Sequence, residues 1–294
     1  MLEDASIQKI HRQLGVTCLK PAVRYVDTSG IPHRWSKAEV LQEFGFPVIT
    51  KQISEKIDCL QNPTPRNERH RHTALTGELD LKGTKSNPRA KIPKKWLKLF
   101  GGYANEEYGT NYKIPPFKVS DKCCYYLKEK PCLDWEKEHK SAAFLGTMAS
   151  EGGRRQIALM KFGCNYFGKK RARSAPFAIF QRQDLLQLAL DLKVPVPEIY
   201  GTIERKDDGT LYTTKAQRTG CGMCGYGIHL EKRPHRFDLL KQKNPRAWQY
   251  WMYECCIDEN GQKYGWARIF DYIGVEYLNE EKTPDKDAMQ GLLF

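Results

Sequence analysis

The sequence predicts an α/β fold, a mostly parallel sheet with helices on both faces. Three observations carry this expectation. Segments with helical spacing alternate with short runs rich in β-branched and aromatic residues. The apolar run "AAFLGT" (142–147) ends in a glycine-rich polar turn, as a parallel strand does before its helix. "QRQDLLQLALDL" (181–192) puts Leu185, Leu188, Ala189 and Leu192 on one helical stripe.

The elements follow in order. Residues 4–14 form a helix capped by Asp4 and stopped by Gly15. "AVRYVD" (22–27) is a strand that ends in the turn "TSGIP". "SKAEVLQEFG" (36–45) opens on a capping box, Ser36 with Glu39, and closes at Gly45; Thr50 caps a second helix, "KQISEKIDCL". From Asn62 to about Pro116 the chain turns basic and aperiodic, with one short helix at "PKKWLKLF". "SDKCCYYLKEKP" starts a helix at Ser120 and ends it at Pro131. "VPVPEIYGTI" is extended, and "RKDDGTLY" is a turn between short strands. "PRAWQYWMYE" is helical, and "YGWARIFDYIGVEY" reads as strand. The organisation is residues 1–61 as the first part of the α/β domain, 62–116 as a basic insertion, and 117–294 as the remainder.

With 294 residues, 40% of them apolar, the chain buries a real core. No apolar run reaches the 18 residues of a membrane span, and the acidic start is not a signal peptide. A cytoplasmic protein with no membrane partner is expected. Forty-eight Lys and Arg against 35 Asp and Glu leave a charge of +13. That surplus points to a phosphate-bearing partner, a small molecule or nucleic acid. The insertion itself reads as a solvated basic face, with only Trp96, Phe100 and Tyr103 near enough to stack on bases.

Ten cysteines in such a compartment are thiols or ligands, not disulfides. Cys123 and Cys124 are adjacent in the first turn after Ser120, where the helix end favours thiolate. Cys221 and Cys224 form a C-x-x-C in the glycine-rich stretch "RTGCGMCGYG". Two pairs make the four thiolates that a [4Fe–4S] cluster or a Cys₄ zinc site takes. Consecutive cysteines suit a cubane better than one zinc ion, because successive side chains diverge; buried helix thiols are the third reading. His229 and His235 stand near enough to be a fifth ligand or a proton carrier, although an ordinary hydrogen-bonded histidine is the commoner case. Cys255 and Cys256, like Cys18 and Cys59, read as core thiols.

Gly220, Gly222 and Gly225 also have G-x-G-x-x-G spacing, but "TTKAQRT" before them is too polar for the strand of a dinucleotide turn. Phosphate chemistry is better placed at "LGTMASEGGRR". There Gly146, Thr147, Ser150, Glu151, Arg154 and Arg155 combine backbone amides, hydroxyls and guanidinium forks at the carboxyl end of a strand. Lys170 and Arg171 follow in "KFGCNYFGKKRARS".

The order "DKCCYYLKEKP", "FLGTMASEGGRR", "SAPFAIFQRQDLL", "VPVPEIYGTI", "RTGCGMCGYG" resembles the phosphoadenosine phosphosulfate (PAPS) reductase family, most of all its phage- and Firmicute-type members. The likeness runs over about residues 36–277 and takes in "FGFPVITKQISEKI". It implies the adenine nucleotide alpha hydrolase-like, PP-loop fold. It also implies a [4Fe–4S] cluster on Cys123, Cys124, Cys221 and Cys224, with the Gly146–Arg155 turn facing the nucleotide and Pro176–Asp184 packed beside it. Adenylyl sulfate or another adenine nucleotide would be the substrate, and a thiol reductant protein a partner. Two family features are missing. The S-G-G-x-D-S loop is not found, so a separate PP-loop chain is an expected partner. The C-terminal E-C-G-[LI]-H nucleophile is also missing, since "ECCIDEN" matches it poorly, so no catalytic residue is assigned. A catalytically incomplete subunit that binds nucleic acid or a PP-loop chain is the alternative.

Overall fold

The structure, a computed structural model, describes residues 4–168, 172–217 and 219–279. The described chain is mixed α/β and divides into two compact units. One, here the core unit, comprises Pro21–Lys128 with Met223–Phe294; the other, the turn unit, comprises Met1–Lys20 with Glu129–Gly222.

In the core unit the Val23–Val26 and Pro32–Arg34 strands form an antiparallel hairpin. The Lys37–Phe44 helix follows with the expected reciprocal cap: the Glu39 N–H donates to Ser36 Oγ at 3.2 Å, and the Ser36 N–H donates to Glu39 Oε2 at 2.8 Å. Gly45 stops it at φ 103°, where a side chain would also collide with the Lys118 backbone. The short Val48–Ile49 strand is the hub. It pairs in parallel with Gly225–Tyr226, and just before it Phe46 bridges Val119, also in parallel. Helices Lys51–Gln61, Glu68–Thr76 and Lys94–Phe100 close around this hub.

The basic stretch 62–116 is more than a solvated face. It contains two of those helices and sends Leu75, Ile92, Trp96, Leu97 and Phe100 into the same buried cluster as Phe46 and Trp266. Its cations occupy the outer side of helices whose inner side is apolar. "YGWARIFDYI", expected as strand, is the Trp266–Ile273 helix. Trp266, Ile269, Phe270 and Ile273 are buried at i, i+3, i+4 and i+7, which is helical and not alternating spacing. Two wide i→i+5 turns, Tyr125–Glu129 and Tyr250–Glu254, sit directly beside the two adjacent cysteine pairs.

In the turn unit Ala143–Phe144, Ala172–Ser174 and Asn165–Phe167 form a three-stranded sheet in that spatial order, its first pair parallel and its second antiparallel. Helices Ala5–Gln13, Lys130–Glu138, Gly153–Phe162 and Arg182–Asp191 and the hairpin Ile203–Arg205/Leu211–Thr213 complete it. Pro131 does not end its helix: it stands in the first turn of Lys130–Glu138, where its missing N–H costs nothing.

The expected extended parallel sheet does not form among the described residues. Strands are two to four residues long and make five small sheets, of which three are purely antiparallel. The reason is local: Gly45 and Pro47 on one side and Thr50 on the other confine the central strand to two residues.

Candidate functional site

Because the Val48–Ile49 strand holds Gly225–Tyr226 in register and Phe46 bridges Val119, the chain segments that carry Cys124 and Cys224 are brought close together in the core unit. The Ser120 N–H donates to the Phe46 carbonyl at 3.3 Å, and the short Lys122–Cys124 helix begins at once. Met223, one residue before Cys224, is buried at φ 56°, and Ile49, the register partner of Tyr226, is buried at φ 63°. Left-handed backbone at a β-branched residue costs energy that the packed surroundings must supply, and such strain gathers at functional sites.

Between these segments lies the Tyr226 side chain. Its hydroxyl is inaccessible to solvent and has no hydrogen-bond partner. Burial raises this phenol well above its ordinary value, and the neighbouring Cys124, Asp121 and Cys224 raise it further. Ser54, also close by, has its hydroxyl committed: it accepts from the Val48 N–H at 3.0 Å and donates to the Val48 carbonyl at 2.8 Å. An orphaned buried hydroxyl costs about 1–3 kcal/mol, so it marks a place where an acceptor belongs. Two sulfurs near a donor with nothing to donate to fit a thiolate-bound group in chemistry.

They do not form a closed ligand set. Among the described residues no three His, Cys, Asp or Glu side chains converge to hold a metal ion. Cys123 turns inward and is buried while Cys124 is partly exposed, because successive helical residues point about 100° apart. Cys221 belongs to the turn unit and Cys224 to the core unit. All ten cysteines are described, and none is in a disulfide.

The two histidines divide. His235 is structural: it is buried, its Nδ1 accepts the Asp238 N–H at 3.3 Å, and its Nε2 is 2.9 Å from the Glu276 carbonyl. The first bond fixes Nε2 as the protonated nitrogen, which leaves no lone pair for a metal. His229 keeps a buried Nδ1 without a partner and lies edge-on to Trp96, ring centroids 5.2 Å apart. Burial, then Lys95, hold its imidazole below the ordinary value.

Cys255 and Cys256 are core thiols as expected, 4.0 Å apart at sulfur; the shared hydrogen bond and burial hold the Cys255 thiol protonated. They border a cavity of about 460 Å³. Arg24, on its wall, is already engaged by Glu39 at 2.8 Å and Glu43 at 3.1 Å.

In the turn unit the predicted phosphate turn has the expected strand–turn–helix form. Ala143–Phe144 runs parallel to Ala172–Ser174, Gly146 and Thr147 follow, and the Gly153–Phe162 helix opens at Gly152. Arg154 and Arg155 are exposed in its first turn. Part of the set is engaged internally: Arg155 pairs with Glu151 at 2.7 Å, and Ser150 Oγ donates to the Phe180 carbonyl at 3.1 Å. Lys170 and Arg171 lie outside the described residues.

Sequence reasoning passed over Tyr226, Ile49 and Met223. The only signal was the apolar doublet Val48–Ile49, too short to show a period.

Fold and site together define a mixed α/β protein in which thiols from two distant segments meet around a buried phenol. No helix among the described residues is long and apolar enough to cross a membrane. No protein-family model matches the chain, and comparison with curated proteins and with solved structures finds no match.

Proposed function

We propose that this chain is a PAPS-reductase-like protein that handles adenylyl sulfate or a related adenylylated sulfur compound with a [4Fe–4S] cluster. The observation that carries the reading is the pairing of Cys124 with Cys224 around the orphaned Tyr226 hydroxyl. The parallel pairings at Val48–Ile49 and Ala143–Phe144 support the PP-loop type of sheet as its architecture.

Cys123, Cys124, Cys221 and Cys224 would hold the cluster, which when bound polarises the sulfo group. The chain's own residues would bind and orient the nucleotide. Arg154 and Arg155 offer guanidinium forks at a helix start, where backbone amides also attract an anion. To reach phosphate, Arg155 exchanges its ion pair with Glu151 for the ligand. A thiol reductant protein would return reducing equivalents.

Anaerobic purification with a visible spectrum and iron and sulfide assays tests the cofactor. A brown protein with equal iron and sulfide is expected, and Cys124→Ser and Cys224→Ser each lose it. A colourless protein with about one zinc per chain overturns the cluster. Titration with adenylyl sulfate tests the substrate: binding that Arg154→Ala with Arg155→Ala weakens supports the reading, and no binding sinks it.

A second reading rests on a different observation. In the turn unit Phe144, Met160 and Phe167 are each at least 80% exposed, and neither Gly153–Phe162 nor Arg182–Asp191 has a buried residue. Bare apolar faces of this kind are interaction surfaces, and they favour a protein partner over nucleic acid. The occupant in this reading is a chain carrying the S-G-G-x-D-S loop. Co-expression with such a polypeptide should give a stable complex by light scattering, which Phe144→Ser with Met160→Ser dissolves. Failure to associate removes this reading.

A further inference from the structure

We infer that Tyr226 is a positioning residue whose hydroxyl donates a hydrogen bond to the thiolate sulfur of Cys124 or Cys224 and thereby sets the redox poise and retention of the bound group. This rests on the cluster reading above and adds a residue to it.

The geometry argues in three steps. First, the Tyr226 hydroxyl is buried and unpartnered, yet its backbone is locked: it pairs with Ile49, the Gly227 N–H donates to the Ile49 carbonyl at 2.9 Å, and Arg236 holds the Tyr226 carbonyl at 2.6 Å. The side chain therefore cannot relieve its orphaned proton by swinging its strand outward. Second, the groups around it are two cysteines, a carboxylate and a hydroxyl. Asp121 faces Lys51 at 3.8 Å, and the Ser54 hydroxyl is spent on Val48. Third, a neutral thiol is a poor acceptor, whereas a metal-bound thiolate is a strong one. The orphan is thus a donor kept in place for a charge that arrives with the bound group.

Hydrogen bonds to cluster sulfurs stabilise the more negative, reduced state and hold ligands in orientation. Tyr226→Phe keeps the ring and its packing and removes only the donor. Wild type and Tyr226→Phe are reconstituted anaerobically with ferrous iron and sulfide, and iron content, midpoint potential and the rate of iron loss to a chelator are measured. Tyr226→Phe is expected to take up the same iron, titrate at a more negative potential, and lose iron roughly ten-fold or more faster. Without metal, it should unfold at the same denaturant concentration as wild type or a higher one, since an unsatisfied group has gone. If wild type takes up no iron and sulfide, the cluster reading itself falls. If wild type loads and Tyr226→Phe matches it in potential and chelator rate, the cluster reading stands and the role of Tyr226 is overturned. A drop in metal-free stability with unchanged potential likewise makes Tyr226 structural only and overturns the inference.

Discussion

Gly225→Ala is the sharpest test of how the site is built. Gly225 sits in the strand that pairs with Val48, and it is ordinary in backbone conformation, so only space decides the outcome. A Cβ there would lie 2.5 and 2.7 Å from Trp266 ring carbons and 2.6 Å from the Pro47 carbonyl oxygen. Normal contact begins near 3.4 Å, so each neighbour must retreat by roughly an ångström. Neither is free to. The Trp266 indole is fully buried with Phe46 and Phe237 against it, at centroid distances of 4.9 and 5.3 Å, and Pro47 is backbone in the hub. Overpacking of this kind costs about 1–3 kcal/mol, and two rigid walls put it near the upper end. For a chain of this size that is a fall in Tm of roughly 6–12 °C. Thermal unfolding followed by circular dichroism measures it. Trp266→Phe in the Gly225→Ala background opens one wall, so the double variant should lose less than the sum of the singles. A Gly225→Ala protein that melts within about a degree of wild type would show that the strand does not approach Trp266 so closely, and the argument for a locked Cys224–Tyr226 segment would fail with it.

Three further outcomes are expected. Ser36→Ala removes one arm of the capping box on Lys37–Phe44 and should cost about 1 kcal/mol in urea unfolding. His235→Ala breaks both the cap on Arg236–Lys243 and the bond to the Glu276 carbonyl, so about 2–3 kcal/mol should be lost, while His235→Asn, able to cap, recovers part of it. His229 is held below its ordinary value of 6.5 in the folded protein, so the unfolded chain takes up its proton first as pH falls. Its contribution is therefore full above 6.5 and lost on acidification through that value towards the lower folded-state one; His229→Gln should flatten the difference in urea midpoint between pH 7.5 and pH 5.5, and an unchanged difference refutes this.

Much of the local structure was legible in the chain. Asp4, Ser36 and Thr50 cap the helices they were expected to cap, because a cap is satisfied by amides two or three residues away. The turn after Ala143–Phe144 and the hairpin after Ile203–Arg205 are likewise short-range. The reading of "YGWARIFDYI" as strand missed the i, i+3, i+4, i+7 spacing of Trp266, Ile269, Phe270 and Ile273, masked by β-formers of high propensity. The basic stretch was read by its charge, and the apolar side of the same helices, Trp96, Leu97 and Phe100, went unweighed.

By itself the sequence determined the caps, the turns, the two cysteine pairs and the basic surplus, since each depends on neighbours along the chain or on composition alone. Tertiary structure decided the rest. A two-residue strand has no sequence signature, yet pairing on both of its sides is what draws Cys124 and Cys224 together. That the buried Tyr226 hydroxyl has no acceptor is likewise a property of the packed neighbourhood, because an orphan exists only once every group around it has been placed.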